Sequence, residues 1–85
     1  MAHTLTWNTY GIDNVNVNGV AVSQPYTLQN GDVIEVYTSM SYGWHLDVYT
    51  SSNGTLLTTS VETSSFSASD TDLYLVLASP GGGSN

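Results

Sequence analysis

The chain contains no lysine, no arginine and no cysteine in 85 residues. Ordinary domains carry about 25% Asp, Glu, Lys and Arg. Here the charged share is 8%, all of it acidic, for a formal net charge of −7. Without Lys or Arg nothing displaces the counterions of a phosphate backbone, so a nucleic-acid partner is not expected. Attraction to an anionic membrane surface is not expected for the same reason. The apolar runs are a few residues long, far short of the roughly 20 that a spanning helix needs. Absent cysteine removes both a disulfide staple and a thiolate metal site. The opening MAHTLTW has neither a positive n-region nor an apolar h-region, so it does not read as a signal peptide. MAHTL reads instead as the start of a complete small gene product.

What is present is strand and turn chemistry. Hydrophobic residues make up 40% of the chain, rich in β-branched and aromatic types, which is a globular composition. A domain this small without staples often gains buried surface from partners or neighbouring subunits. No window sustains a helical period. Asn-Gly pairs stand at Asn18-Gly19, Asn30-Gly31 and Asn53-Gly54, and Asn-Gly supplies the positive φ angles of a type I′ hairpin turn. VNV and VAV flank the first pair; WHLDVYTS and TLLTTSV flank the third. Both read as hairpins. Pro25 ends the early ladder, since it has no N–H to donate.

Alternation and turn signals place strands at 3–9, 14–18, 20–24, 32–38, 44–51, 54–61 and 72–78, the pattern of an antiparallel sandwich or small barrel. The inward set is Leu5 with Trp7, Val15 with Val17, Ile34 with Val36, Leu46 with Val48, and the stripe Leu73, Leu75, Leu77. Leu28 and Phe66 are expected to seal the two ends. Residues 1–78 read as one domain, and 79–85, with Gly81, Gly82 and Gly83, as a flexible tail.

The runs VNVNGVAVSQPYTLQNGDVIEV, SYGWHLDVYT and SSFSASDTDLYLVL resemble the small Ig-like bacterial repeat domains. Those pair an Asn-Gly turn with Gly-Asp-x-Ile opening a central strand, a glycine-tyrosine connection, and a closing strand after Phe. The resemblance covers residues 14–77. It departs at the end: the family's Thr-Met-Pro after Phe is replaced here by SASD after Phe66. It implies a small antiparallel Ig-like β-sandwich of about seven strands, adhesive or structural and not catalytic. Such modules occur in bacterial surface proteins and on phage virions, as capsid decorations and fibres.

Candidate chemistry is sparse. Asp70 and Asp72 could offer oxygens to calcium, but no ligand loop with a central glycine surrounds them. A local turn bond for Asp70 and a strand start for Asp72 explain them as well. His3 and His45 are far apart and the acids are scattered, whereas zinc needs three or four convergent ligands. His45, alternating with Trp44 and Leu46, is expected to face solvent. No serine sits in a Gly-x-Ser-x-Gly elbow, and a Ser–His–Asp arrangement has two histidines to draw on. Asn53-Gly54-Thr55 matches a glycosylation sequon, which the hairpin turn explains. PGGGSN lacks the lysine and following helix of a phosphate loop. No enzyme, cofactor or metal is expected.

The aromatics carry the functional expectation. Tyr37, Tyr49 and Tyr74 fall on the phase opposite the inward residues of their strands, and Tyr42 and Trp44 lie in the adjoining connection. Such side chains offer apolar area with a polar edge at contact surfaces, stack on sugar rings, or pair across a sheet to stabilise it. Edge strands are commonly guarded by lysine, and this chain has none. The expectation is therefore a structural protein of a virion or extracellular surface, docking on a capsid or other assembly scaffold, or on copies of itself as a homo-oligomer. A carbohydrate-binding module using Trp44, Tyr42 and Tyr49 is the first alternative, and an engineered Lys/Arg-free scaffold the second.

Overall fold

The computed structural model describes residues 3–39, 45–61, 66–68 and 70–78, with the backbone alone at 59–61. The 79–85 tail lies outside the described residues. The strands are β1 (His3–Trp7), β2 (Ile12–Val17), β3 (Val20–Val22), β4 (Tyr26–Leu28), β5 (Val33–Thr38), β6 (His45–Tyr49), β7 (Leu56–Val61), β8 (Phe66–Ser67) and β9 (Leu73–Ala78). They form two sheets, one ordered β4-β1-β9-β6-β7 and the other β3-β2-β5-β8. The all-β sandwich expected from the sequence is the observed architecture.

Nine strands appear among the described residues, against about seven expected. The two additional ones, β4 and β8, are three and two residues long, too short for alternation to register. They contain Leu28 and Phe66, so the residues expected to seal the ends do pack on the core, but from within strands. A second difference is β1, which runs parallel to β9, with Leu5 opposite Leu73 and Trp7 opposite Leu75. The other pairings are antiparallel.

The core lies between the sheets. Leu5, Leu28, Leu46, Val48, Leu73, Leu75 and Leu77 come from the five-stranded sheet, and Ile12, Val15, Val17, Ile34 and Val36 from the other. Trp7 packs against this cluster, partly buried. Period-two alternation thus selected Leu5 of β1 and the inward residues of β2, β5, β6 and β9.

The Asn-Gly pairs take three different forms. Asn18 and Gly19 both have positive φ, 53° and 84°, as the two-residue turn between β2 and β3 requires. Around Asn30-Gly31 only Gly31 is positive, at 88°, and Asp32 N–H donates to Gln29 C=O at 3.1 Å. That is the type II pattern, and it carries the chain from one sheet to the other. The hairpin between β6 and β7 is the one expected, but its loop is longer than two residues. Gly54 N–H donates to Ser51 C=O at 3.0 Å, and Thr55 N–H to Thr50 Oγ1 at 2.9 Å. Gly54 is needed there for room, because a Cβ would collide with Thr50 Oγ1 and the Ser51 backbone.

Two side chains complete the edges of β1. Continuing the β1–β4 register would set Thr6 against Pro25, which has no N–H, and Trp7 against Gln24. The Gln24 amide stands in for the missing backbone pair: Oε1 accepts from Trp7 N–H at 3.0 Å and Nε2 donates to Trp7 C=O at 2.9 Å. On the other side, Asp72 Oδ1 accepts from Thr4 N–H at 2.8 Å, one residue before β9 begins.

Candidate functional site

The outer face of the five-stranded sheet carries most of the candidate chemistry. Tyr49 and Tyr74 are direct cross-strand partners, and Tyr74 is also opposite Thr6. Leu56 faces Tyr49 from β7. A row Thr6–Tyr74–Tyr49–Leu56 therefore crosses four strands, with both tyrosines half-buried and Leu56 46% exposed. Tyr37 lies on β5 in the opposite sheet and is 50% exposed. The tyrosines expected on the exteriors are on them, but on two faces that point away from each other. Tyr42 and Trp44 lie outside the described residues, so the stacking platform expected from Trp44, Tyr42 and Tyr49 is described only at Tyr49.

Beside the tyrosine row lies a groove of about 430 Å³. Thr4 and Thr6 of β1 form one wall, Thr50, Ser51 and Ser52 the other, and Asp72, Leu73 and Tyr74 lie between. Local alternation explains the wall: in HTLTW, Leu5 points to the core, so Thr4 and Thr6 point out. Which strand sits next to these threonines was not legible. The β1–β9 pairing joins residues 68 apart in sequence, and a parallel pair needs no turn signal.

A second cleft, of about 350 Å³, opens between the edges β7 and β8. It is lined by Val48, Leu57, Thr58, Phe66, Ser67 and Leu73. Leu57 turns toward this cleft yet is 43% exposed. At the other side of the sandwich Val20, on edge strand β3, is 65% exposed. Among the described residues, edge strands with exposed aliphatic side chains therefore occur on both sheets.

The titratable groups form small local sets. His3 is buried, with Nε2 2.9 Å from Asp70 Oδ1 and 3.1 Å from Asn30 Oδ1. Strand alternation puts His3 on the same phase as Leu5, in the inward set. Asp70 thus makes a long-range contact to β1. His45, expected to face solvent, is partly covered, and its Nε2 lies 3.3 Å from Asp47 Oδ1. Asp47 is 3% exposed although it alternates with core residues, because β6 and β9 become buried on both faces here: Val76 and Ala78 on the same phase are buried too. A lone acid inside a strand, as in HLDVY, was the available signal, since aspartate is depleted in strands.

Asp32 is held below its ordinary 3.8, first by the backbone N–H of Gln29 and then by the Asn18 side chain. Gln29 N–H donates to Oδ2 at 2.9 Å and Asn18 Nδ2 to Oδ1 at 3.0 Å. Among the described residues no group of three or more His, Cys, Asp or Glu could hold a metal ion, and no helix is long and apolar enough to cross a membrane. No family model matches the chain, and no curated protein and no solved structure matches it.

Proposed function

We propose that this protein is a non-enzymatic interaction module that docks through its sheet edges and outer faces onto a larger assembly. The observation that carries this reading is the exposure of Val20, Leu56 and Leu57 on strands at the sheet edges among the described residues in a chain with no Lys or Arg. A strand edge presents unpaired N–H and C=O groups, and lysine is the usual guard against unwanted pairing. Here the net charge of −7 keeps copies apart, while a neutral or basic docking surface meets no such barrier. The resemblance to small Ig-like bacterial repeat domains supports a setting such as a capsid decoration, a fibre or a bacterial surface structure, in a virion or outside the cell.

Edges able to pair with a partner are able to pair with one another once repulsion is screened. Light scattering between low salt and about 1 M salt tests this, because the Debye length falls to about 3 Å at 1 M. The wild-type mass should rise above 9.1 kDa as salt and concentration increase. Leu56→Lys should hold it at the monomer while leaving the urea midpoint nearly unchanged, since an exposed substitution costs about 0.5 kcal/mol or less. A wild-type protein that stays monomeric under all these conditions overturns the edge-docking reading and moves the carbohydrate alternative to the front.

A further inference from the structure

We propose that the groove between β1 and the loop at residues 50–52 is a receptor for a single cationic side chain of a partner protein, best matched by an arginine guanidinium. The assignment rests on the docking reading above and names the chemistry of one contact within it. The groove brings together the components that a guanidinium uses. The Asp72 carboxylate has Oδ1 engaged by Thr4 N–H at 2.8 Å, and Oδ2 makes no hydrogen bond among the described residues. The hydroxyl-bearing residues Thr4, Thr6, Thr50, Ser51 and Ser52 line the two walls. Each offers acceptor lone pairs, whereas a guanidinium has five N–H donors and no acceptor. Tyr74 contributes an aromatic side chain to the same groove, and guanidinium groups stack on such rings.

Charge decides between this guest and a neutral sugar. The chain carries −7 with no Lys or Arg, so no side chain of fixed positive charge competes for Asp72 and the whole field attracts positive charge. A sugar would use the hydroxyls and the ring but gain nothing from the net charge. An arginine gains from all of them, and its charge-assisted bonds are roughly twice as strong as neutral ones. Asp72 is already anchored by the β1 backbone, so it is oriented before any guest arrives.

The test is an NMR titration of the whole protein with the blocked tripeptide acetyl-Gly-Arg-Gly-amide, its citrulline counterpart, and a neutral trisaccharide such as maltotriose. Citrulline keeps the shape of arginine and removes its charge. The arginine peptide should shift the backbone amides of Thr4, Thr6, Ser51, Asp72 and Tyr74 saturably, with at least about tenfold weaker binding by the citrulline peptide. Asp72→Asn should weaken the arginine peptide several-fold with the fold intact, because the amide oxygen still accepts from Thr4 N–H. Thr6→Lys, which places a cation of the protein's own in the groove, should abolish the shifts. Equal binding of the two peptides, shifts located elsewhere, an Asp72→Asn variant that binds as well as wild type, or groove shifts with maltotriose alone would each overturn the proposal. Its failure is distinct from that of the docking reading: edges that self-associate in salt while the groove ignores arginine remove only the groove assignment.

Discussion

Asn18 does four things at once, and each is a separate cause. Its backbone takes φ of 53°, its own N–H donates to Val33 C=O at 2.8 Å, and its side-chain oxygen accepts from Val33 N–H at 2.9 Å. Its amide nitrogen also donates to Asp32. Asn18→Ala should therefore cost about 1–2 kcal/mol for the left-handed conformation, with the lost hydrogen bonds added. Asn18→Gly restores the φ and should recover the conformational part only, leaving a deficit of about 1 kcal/mol per lost bond. Urea unfolding of the pair separates the two contributions; equal destabilisation would show that φ contributes nothing. Asp32 adds a pH dependence of definite sign. Its folded pKa lies below 3.8, so its stabilising effect is complete above the unfolded value and is lost as pH falls through the lower, folded one. The difference in urea midpoint between wild type and Asp32→Asn should thus be constant near neutral pH and shrink only in the acid range below about 3.8. At this scale the turn at Asn18-Gly19 was legible, because its conformational demand is local. The clasp to Asp32 and Val33 was not, because its partners are 14 and 15 residues away and hydrogen bonding between side chains leaves no periodic trace.

The elements show the same division between local and distant causes. Long strands announced their inward faces through alternation, whereas β4 and β8 needed their neighbours to become strands at all. The parallel seating of β1 against β9 followed from no turn signal, and with it went the groove, which exists only because Thr4 and Thr6 stand beside Asp72 and Tyr74. The tyrosine face was half legible: phase put Tyr49 and Tyr74 outside, but only the β6–β9 register made them neighbours and left Tyr37 on the other sheet. Strand β1 is held between β4 and β9 and receives a side-chain substitute at each end. Gln24 matters most, since Pro25 has already removed one donor from the β4 edge. Gln24→Ala leaves the partly buried Trp7 N–H and C=O without their partner, which should cost about 1–3 kcal/mol. Gln24→Glu keeps an acceptor for Trp7 N–H but loses the donor to its C=O, so it should fall between the two above pH 5. Amide hydrogen exchange at Trp7 reads this directly: faster in Gln24→Ala, near wild type in Gln24→Glu. Unchanged exchange in both variants would mean that the ladder holds β1 without the glutamine.

Across the whole molecule, charge of one sign changes what salt does. Most proteins mix attractive and repulsive pairs, so screening removes some of each. With no Lys or Arg and a formal charge of −7, the only opposite-sign contacts among the described residues are His3 with Asp70 and His45 with Asp47. Neither contact involves a side chain of fixed positive charge. Folding draws the acids closer than they lie in the expanded chain, so repulsion destabilises the folded state more, and salt relieves it. The urea midpoint at pH 8 should therefore rise steadily from about 10 mM to 200 mM sodium chloride, as the Debye length shrinks from about 30 Å to under 10 Å. The gain should be on the order of 1 kcal/mol, the size of a few carboxylate pairs interacting through near-surface dielectric. A midpoint that is flat with salt at pH 8 would mean that the acids are too far apart to repel in the fold. The barrier assigned to charge between copies would then have to come from another feature of the surface. A rising midpoint together with salt-induced association would tie both behaviours to one cause, the same uncompensated charge acting within a copy and between copies.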